Sequence, residues 1–101
     1  MNLNEIAQKA YTVSIKRQKN GAAINIDRIL NHCAGEVLEA QEAFTLWKTE
    51  EKDAADYAEE LADVILCALI ASARSGLDIN SAVETKLKKI ELRADLKGDK
   101  L

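Results

Sequence analysis

Not one proline interrupts this chain of 101 residues, and only four glycines occur in it. Proline inside a helix removes a backbone hydrogen bond and clashes with the preceding turn, and glycine weakens a helix through backbone entropy. A chain so thinly punctuated, with 31% charged residues, is free to run in long helices. Its few aromatic side chains (Tyr11, Phe44, Trp47 and Tyr57) leave the core to Ala, Leu, Ile and Val. The length suits a single domain spanning residues 1–101, one too small to be more than marginally stable alone.

The breaks that do exist predict four helices. The first runs over residues 3–19, with Asn2 as N-cap and Glu5 three residues on. Asn20-Gly21-Ala22-Ala23 makes a loop, and a second helix covers residues 26–47. Thr49 followed by Glu50 and Glu51 reads as the next N-terminus, with acids in its first turn. That third helix continues to Arg74 and stops at Ser75-Gly76, where a C-terminal glycine belongs. Asp78 caps a fourth helix reaching Leu96, and Gly98 to Leu101 fray. The fold class is all-α, a four-helix bundle.

A net charge of −3 disfavours a nucleic-acid partner. The longest apolar stretch, residues 61–73, is interrupted by Asp63 and is too short to span a membrane. No signal-peptide pattern opens the sequence, and Cys33 and Cys67 sit in apolar helical runs. Two free thiols in a reducing cytoplasm are the expectation.

Setting residues about 100° apart around each helix separates two rows on each inner helix. In the second helix, Ile26, Leu30, Cys33, Val37, Ala40, Phe44 and Trp47 form a bundle seam. Turned by about 90° lies another row: Ile29, His32, Glu36, Glu39 and Ala43. The third helix has a stripe of Ala54, Ala58, Leu61, Ile65, Ala68 and Ser72. Nearly opposite run Asp53, Asp56, Glu60, Asp63, Cys67, Ile70 and Arg74. These acids pass directly into Cys67 and Ile70, and a helix apolar on two sides is buried on both. Glu60 and Asp63 are therefore expected to point into protein.

Burying four carboxylates without partners is costly, and Arg74 is the one cation on these two rows. Hard divalent cations resolve the cost, because they take carboxylate oxygens. Glu36-x-x-Glu39 and Glu60-x-x-Asp63 each set two acids one turn apart, and on antiparallel neighbours the pairs converge. A single Glu-x-x-Glu is common on solvated helix faces, which is the competing reading. The second pair, flanked by apolar residues, is what argues against it. His32 lies one turn before Glu36, but a ferritin-like di-iron site wants Glu-x-x-His from two helices and the chain has one histidine.

On the fourth helix, Val83, Leu87, Ile90 and Ala94 make a core stripe beside a basic row of Lys86, Lys89, Arg93 and Lys97. Such a row snorkels over apolar surface in most proteins; near a metal cluster it supplies what phosphate oxygens need. No Gly-x-x-x-x-Gly-Lys loop is present, so a nucleotide is not held in the P-loop manner.

Gly35-Glu36-Val37-Leu38-Glu39, followed by Glu59-Glu60-Leu61-Ala62-Asp63-Val64-Ile65 and Ser75-Gly76-Leu77-Asp78-Ile79, resembles the MazG-like all-α nucleoside triphosphate pyrophosphohydrolases. These are relatives of the dimeric dUTPases and the phosphoribosyl-ATP pyrophosphohydrolases, and the likeness covers residues 26–93. Gly35 stands where the family's first motif begins with glutamate, and Ile90 where the last helix often carries asparagine. The resemblance implies a hydrolase that uses Mg²⁺, with Mn²⁺ as a substitute, to cleave NTP or dNTP into the monophosphate and pyrophosphate, cleaning nucleotide pools. It implies Glu36, Glu39, Glu60 and Asp63 as metal ligands and catalytic acids, with Asp56 as a possible further proton acceptor. Lys86, Arg93, His32 and Trp47 become the substrate contacts. A homo-oligomer is implied as well, a tetramer favoured over a dimer, since a chain with two apolar faces per inner helix has too few helices to cover them. The alternative is a non-catalytic or weakly catalytic metal-dependent nucleotide-binding or oligomerisation module, to which Gly35 and Ile90 point.

Overall fold

A computed structural model of the chain describes residues 2–18 and 25–97. Four helices follow one another: α1 (Leu3–Lys16), α2 (Ile26–Lys48), α3 (Ala54–Arg74) and α4 (Ile79–Lys97). No strand occurs among the described residues, and no helix there is long and apolar enough to cross a membrane. The loop expected over residues 20–23 and the fraying end at residues 98–101 lie outside them.

The helix ends are set by side chains meeting orphan backbone groups. The Asn2 side-chain Oδ1 accepts from the Glu5 N–H at 2.9 Å, as expected. Asn25 caps α2 by accepting from the N–H groups of Asp27 and Arg28. Helix α1 stops at Lys16, with Arg17 as its C-cap, earlier than the sequence reading placed it.

The start of the third helix also needs correcting. Thr49 does not open α3; it closes α2, its hydroxyl donating to the Leu46 carbonyl at 3.2 Å. The N–H groups of Glu51 and Lys52 fold back onto the same carbonyl, with Glu50 at a φ of 62° making the reversal. Helix α3 begins after Asp53, whose carboxylate accepts the Asp56 N–H at 3.2 Å. The unsatisfied carbonyls at the end of α2 claim the donors of the next residues, and aspartate caps at least as well as threonine. Glu50 and Glu51 are therefore loop residues.

At the other end of α3 the Leu77 N–H reaches the Ser72 carbonyl at 3.0 Å around Gly76, whose φ of 70° suits glycine. Asp78 then accepts the Ser81 N–H at 3.1 Å, capping α4 as expected. The first turns of α1 and α4 are latched together. Asn80 accepts the Leu3 N–H at 3.2 Å, Asn4 accepts the Asn80 N–H at 3.1 Å, and the Asn4 amide donates to Asp78 at 2.8 Å.

Helices α2 and α3 pair along most of their length, and α1 lies against α3. Phe44 beside Tyr57 and Ile29 beside Cys67 give the pair its antiparallel sense. The core gathers Ile29, Cys67 and Ala71, with Cys33 and Ile70 packed against them. In one chain, then, the row containing Ile29, Glu36 and Ala43 is the inner one. The expected seam is largely uncovered: Leu30 is 53% exposed, Ile65 57% and Leu87 54%. Helix α4 touches α1 and α3 sparsely and α2 not at all, so a single chain does not close a four-helix bundle.

The dimensions agree. The radius of gyration is 16.1 Å, against about 13 Å for a compact chain of this length. The accessible surface of 7716 Å² exceeds by about 2,000 Å² what a folded monomer of 11.1 kDa exposes.

Candidate metal centre

Glu60 and Asp63 lie three residues apart on α3, so one helical turn stacks them on the face that α3 shows to α2. Glu36 enters from α2, and one carboxylate oxygen from each of the three lies within 4.8 Å of the others. Glu39, one turn along α2 from Glu36, is close enough for its charge to act on both Glu36 and Glu60. Three of the four expected acids thus meet in one cluster, with Glu39 beside it. Burial and mutual repulsion disfavour their charged forms. Burial first, then the charges of Glu39 and Asp63, push the Glu36 carboxyl above its ordinary value, while His32 pulls it back. Burial followed by Glu39, Asp63 and Glu36 pushes Glu60 the same way.

Two oxygens in the cluster, Oε2 of Glu36 and Oε2 of Glu60, are buried with no hydrogen-bond partner among the described residues. Buried polar atoms are nearly always satisfied, so a pair of orphaned acceptors on facing helices marks a place meant for a ligand. Carboxylate oxygens alone make a donor set for a hard divalent cation of the Mg²⁺ or Mn²⁺ kind. The neighbouring thiols add nothing softer. Cys67 donates to the Ile29 carbonyl at 3.4 Å, and burial, contact with Cys33 and the nearby acids push its pKa up to about 12. It stays a neutral packing residue, and both cysteines are free, as expected.

The cluster opens into a cleft of about 660 Å³ between α1, α2 and α3, with Glu36 and Asp63 on its floor. His32 stands at the rim, its Nε2 3.0 Å from Glu36 Oε1. Lys9 and Arg17 line the cleft from α1. These two cations escaped the sequence reading, although a signal was present. They flank Ala10, Val13 and Ser14 on one face of the first helix.

The other expected contacts lie elsewhere. Lys86 and Arg93 are exposed on α4 and line neither this cleft nor the recess beside it. Trp47 stacks on Tyr57 at 5.6 Å with Phe44 edge-on, at the far end of the α2–α3 pair. Asp56 forms an exposed ion pair with Lys52 at 3.9 Å. Within one chain the fold joins the acids and His32 and leaves Lys86, Arg93 and Trp47 apart.

Antiparallel helices that converge three carboxylates beside a cleft define a helical carboxylate-site protein. The MazG nucleotide pyrophosphohydrolase domain matches residues 25–96, which is α2 through nearly all of α4, and the chain belongs to that family. Nucleotide pyrophosphohydrolysis in general is the activity the family carries. No curated protein and no solved structure matches the chain significantly.

Proposed function

We propose that the protein is a Mg²⁺-dependent nucleoside triphosphate pyrophosphohydrolase, converting NTP or dNTP and water into the monophosphate and pyrophosphate. The observation that carries this reading is the pair of orphaned, buried oxygens on Glu36 and Glu60 inside the acid cluster of a MazG-family chain. Glu36, Glu60 and Asp63, with Glu39 beside them, would hold the metal. When bound, the ion neutralises phosphate charge and lowers the pKa of a coordinated water.

The chain's own groups do the rest. His32 orients Glu36 through their 3.0 Å contact. Glu39, exposed and near both Glu36 and Glu60 but outside the cluster of three, is best placed to take the proton from the attacking water. That water's oxygen bonds to the α-phosphorus, the α–β bridging bond breaks, and pyrophosphate leaves.

The working unit is a homo-oligomer, a tetramer in preference to a dimer. Its support is the uncovered apolar seam and an excess surface of about 2,000 Å² per chain, more than the roughly 800 Å² that each partner buries in a standard protein–protein interface. Lys86, Arg93 and Trp47 reach substrate only across such an interface. Assay of the common triphosphates with Mg²⁺, scoring pyrophosphate against orthophosphate, tests the reaction. Orthophosphate release with accumulating diphosphate would show that the wrong bond had been assigned.

A further inference from the structure

We infer that Lys9 and Arg17 of α1 form an anion-holding wall of the acid-floored cleft, which grips the polyphosphate of the substrate and the pyrophosphate product. The inference rests on the functional reading above and adds to it an element outside the family match, which begins at residue 25.

The two residues sit eight positions apart, so about 12 Å of helix separates them along α1. Both line the cleft that has Glu36 and Asp63 on its floor. Opposite charges sharing a cleft of this size would ordinarily pair. Yet among the described residues neither Lys9 nor Arg17 comes within ion-pairing distance of a carboxylate.

A gap therefore separates a floor of uncompensated carboxylates from a wall of unpaired cations. A divalent ion on the floor with phosphate oxygens against the wall fills it with charges of alternating sign. No simple cation or simple anion does so. Arg17 also borders an adjoining recess of about 440 Å³ together with Arg28 and His32, so donors gather at that end of the cleft. Arginine's fork suits two oxygens of one phosphate, and lysine serves as a point charge. The wall belongs to the same chain as the acids, unlike Lys86 and Arg93, which lie away from them.

Pyrophosphate is the right probe, because it carries no base and no sugar and reports on the phosphate contacts without theirs. Calorimetric titration of the full-length protein with pyrophosphate in Mg²⁺ should show saturable binding. Arg17→Ala should weaken it about tenfold or more, and Lys9→Ala by a smaller factor. Arg17→Lys should recover part of the loss, since the charge returns without the fork. Lys16→Ala, an exposed lysine beside the wall but outside the cleft, should bind like the wild type. Thermal melts of each variant, with and without Mg²⁺, separate a lost contact from a lost fold. If Lys9→Ala and Arg17→Ala bind pyrophosphate as the wild type does while Mg²⁺ still raises the melting temperature, the wall is refuted and the metal site stands. If Lys16→Ala weakens binding as much as Arg17→Ala, diffuse charge is responsible and the wall is refuted again. A wild type that responds to neither Mg²⁺ nor pyrophosphate overturns the functional reading itself.

Discussion

The two long faces of the α2–α3 pair carry chemistry in an unusual arrangement. The inner face holds Glu36, Glu60 and Asp63 beside Ile29, Cys67 and Ala71, whereas the outer face shows Leu30, Val37, Leu61 and Ile65 to solvent. A monomer optimised for stability would place these groups the other way round, since burying apolar area stabilises and burying unpaired charge costs. On the proposed reading the inner face reflects what the site holds, and the outer face what another copy covers.

The largest expected effect breaks the inner face. Glu60→Gln should lower turnover by about 100-fold or more, as loss of metal-site groups does. In chelator the same variant should melt higher than the wild type, because a neutral amide relieves the repulsion from Glu36, Glu39 and Asp63 and can donate to them. In Mg²⁺ the wild type should gain more, because an ion that binds only the folded state raises its melting temperature. Opposite ordering in the two buffers is the signature; melting curves that keep one order in both would remove the metal from the account.

The outer face is broken by Ile65→Asp. Ile65 is 57% exposed on one chain, so a monomer should tolerate the change within about 0.5 kcal/mol. If copies meet there, a buried aspartate should cost about 2 kcal/mol or more per contact and shift the species seen by light scattering to a smaller one. An unchanged mass would return that face to solvent.

Gly35→Ala sharpens the contrast at the border of the two faces. Gly35 is helical with no atom within 4 Å of an added Cβ, so alanine should stabilise the chain by about 1 kcal/mol. Destabilisation instead would mean that a second copy packs closely over this glycine. The smallest effect concerns the α1–α4 latch. Hydrogen bonds from Asn4 and then from the Ser81 N–H hold the Asp78 carboxyl below its ordinary value. A depressed carboxyl contributes stability above its unfolded pKa, and that contribution is lost as pH falls through the folded value. Asp78→Asn should therefore remove a small stabilising contribution at neutral pH and leave the strongly acidic end of the profile, below both pKa values, nearly unchanged.

Much of this architecture was legible before any coordinates. The absence of proline, the caps at Asn2 and Asp78 and the stop at Gly76 are local signals, and each acted where it stood. The pairing of Glu36-x-x-Glu39 with Glu60-x-x-Asp63 was legible too, because helical spacing alone puts each pair on one face. The Thr49 boundary misled because a threonine before two glutamates looks the same whether it starts a helix or ends one. Which it does depends on the Leu46 carbonyl, three residues back.

The sequence by itself determined four helices, two rows on each inner helix and the meeting of the acids. Only the tertiary structure decided which row turned inward, that α4 leaves its own chain's apolar stripe uncovered, and that Lys9 and Arg17 come to face the acids. Periodicity reports a residue's angle about its own helix axis and nothing about the rotation of one helix against the next. That rotation is set by side chains packing across helices distant in the chain, where Ile29 meets Cys67 and where Asn4 meets Asn80.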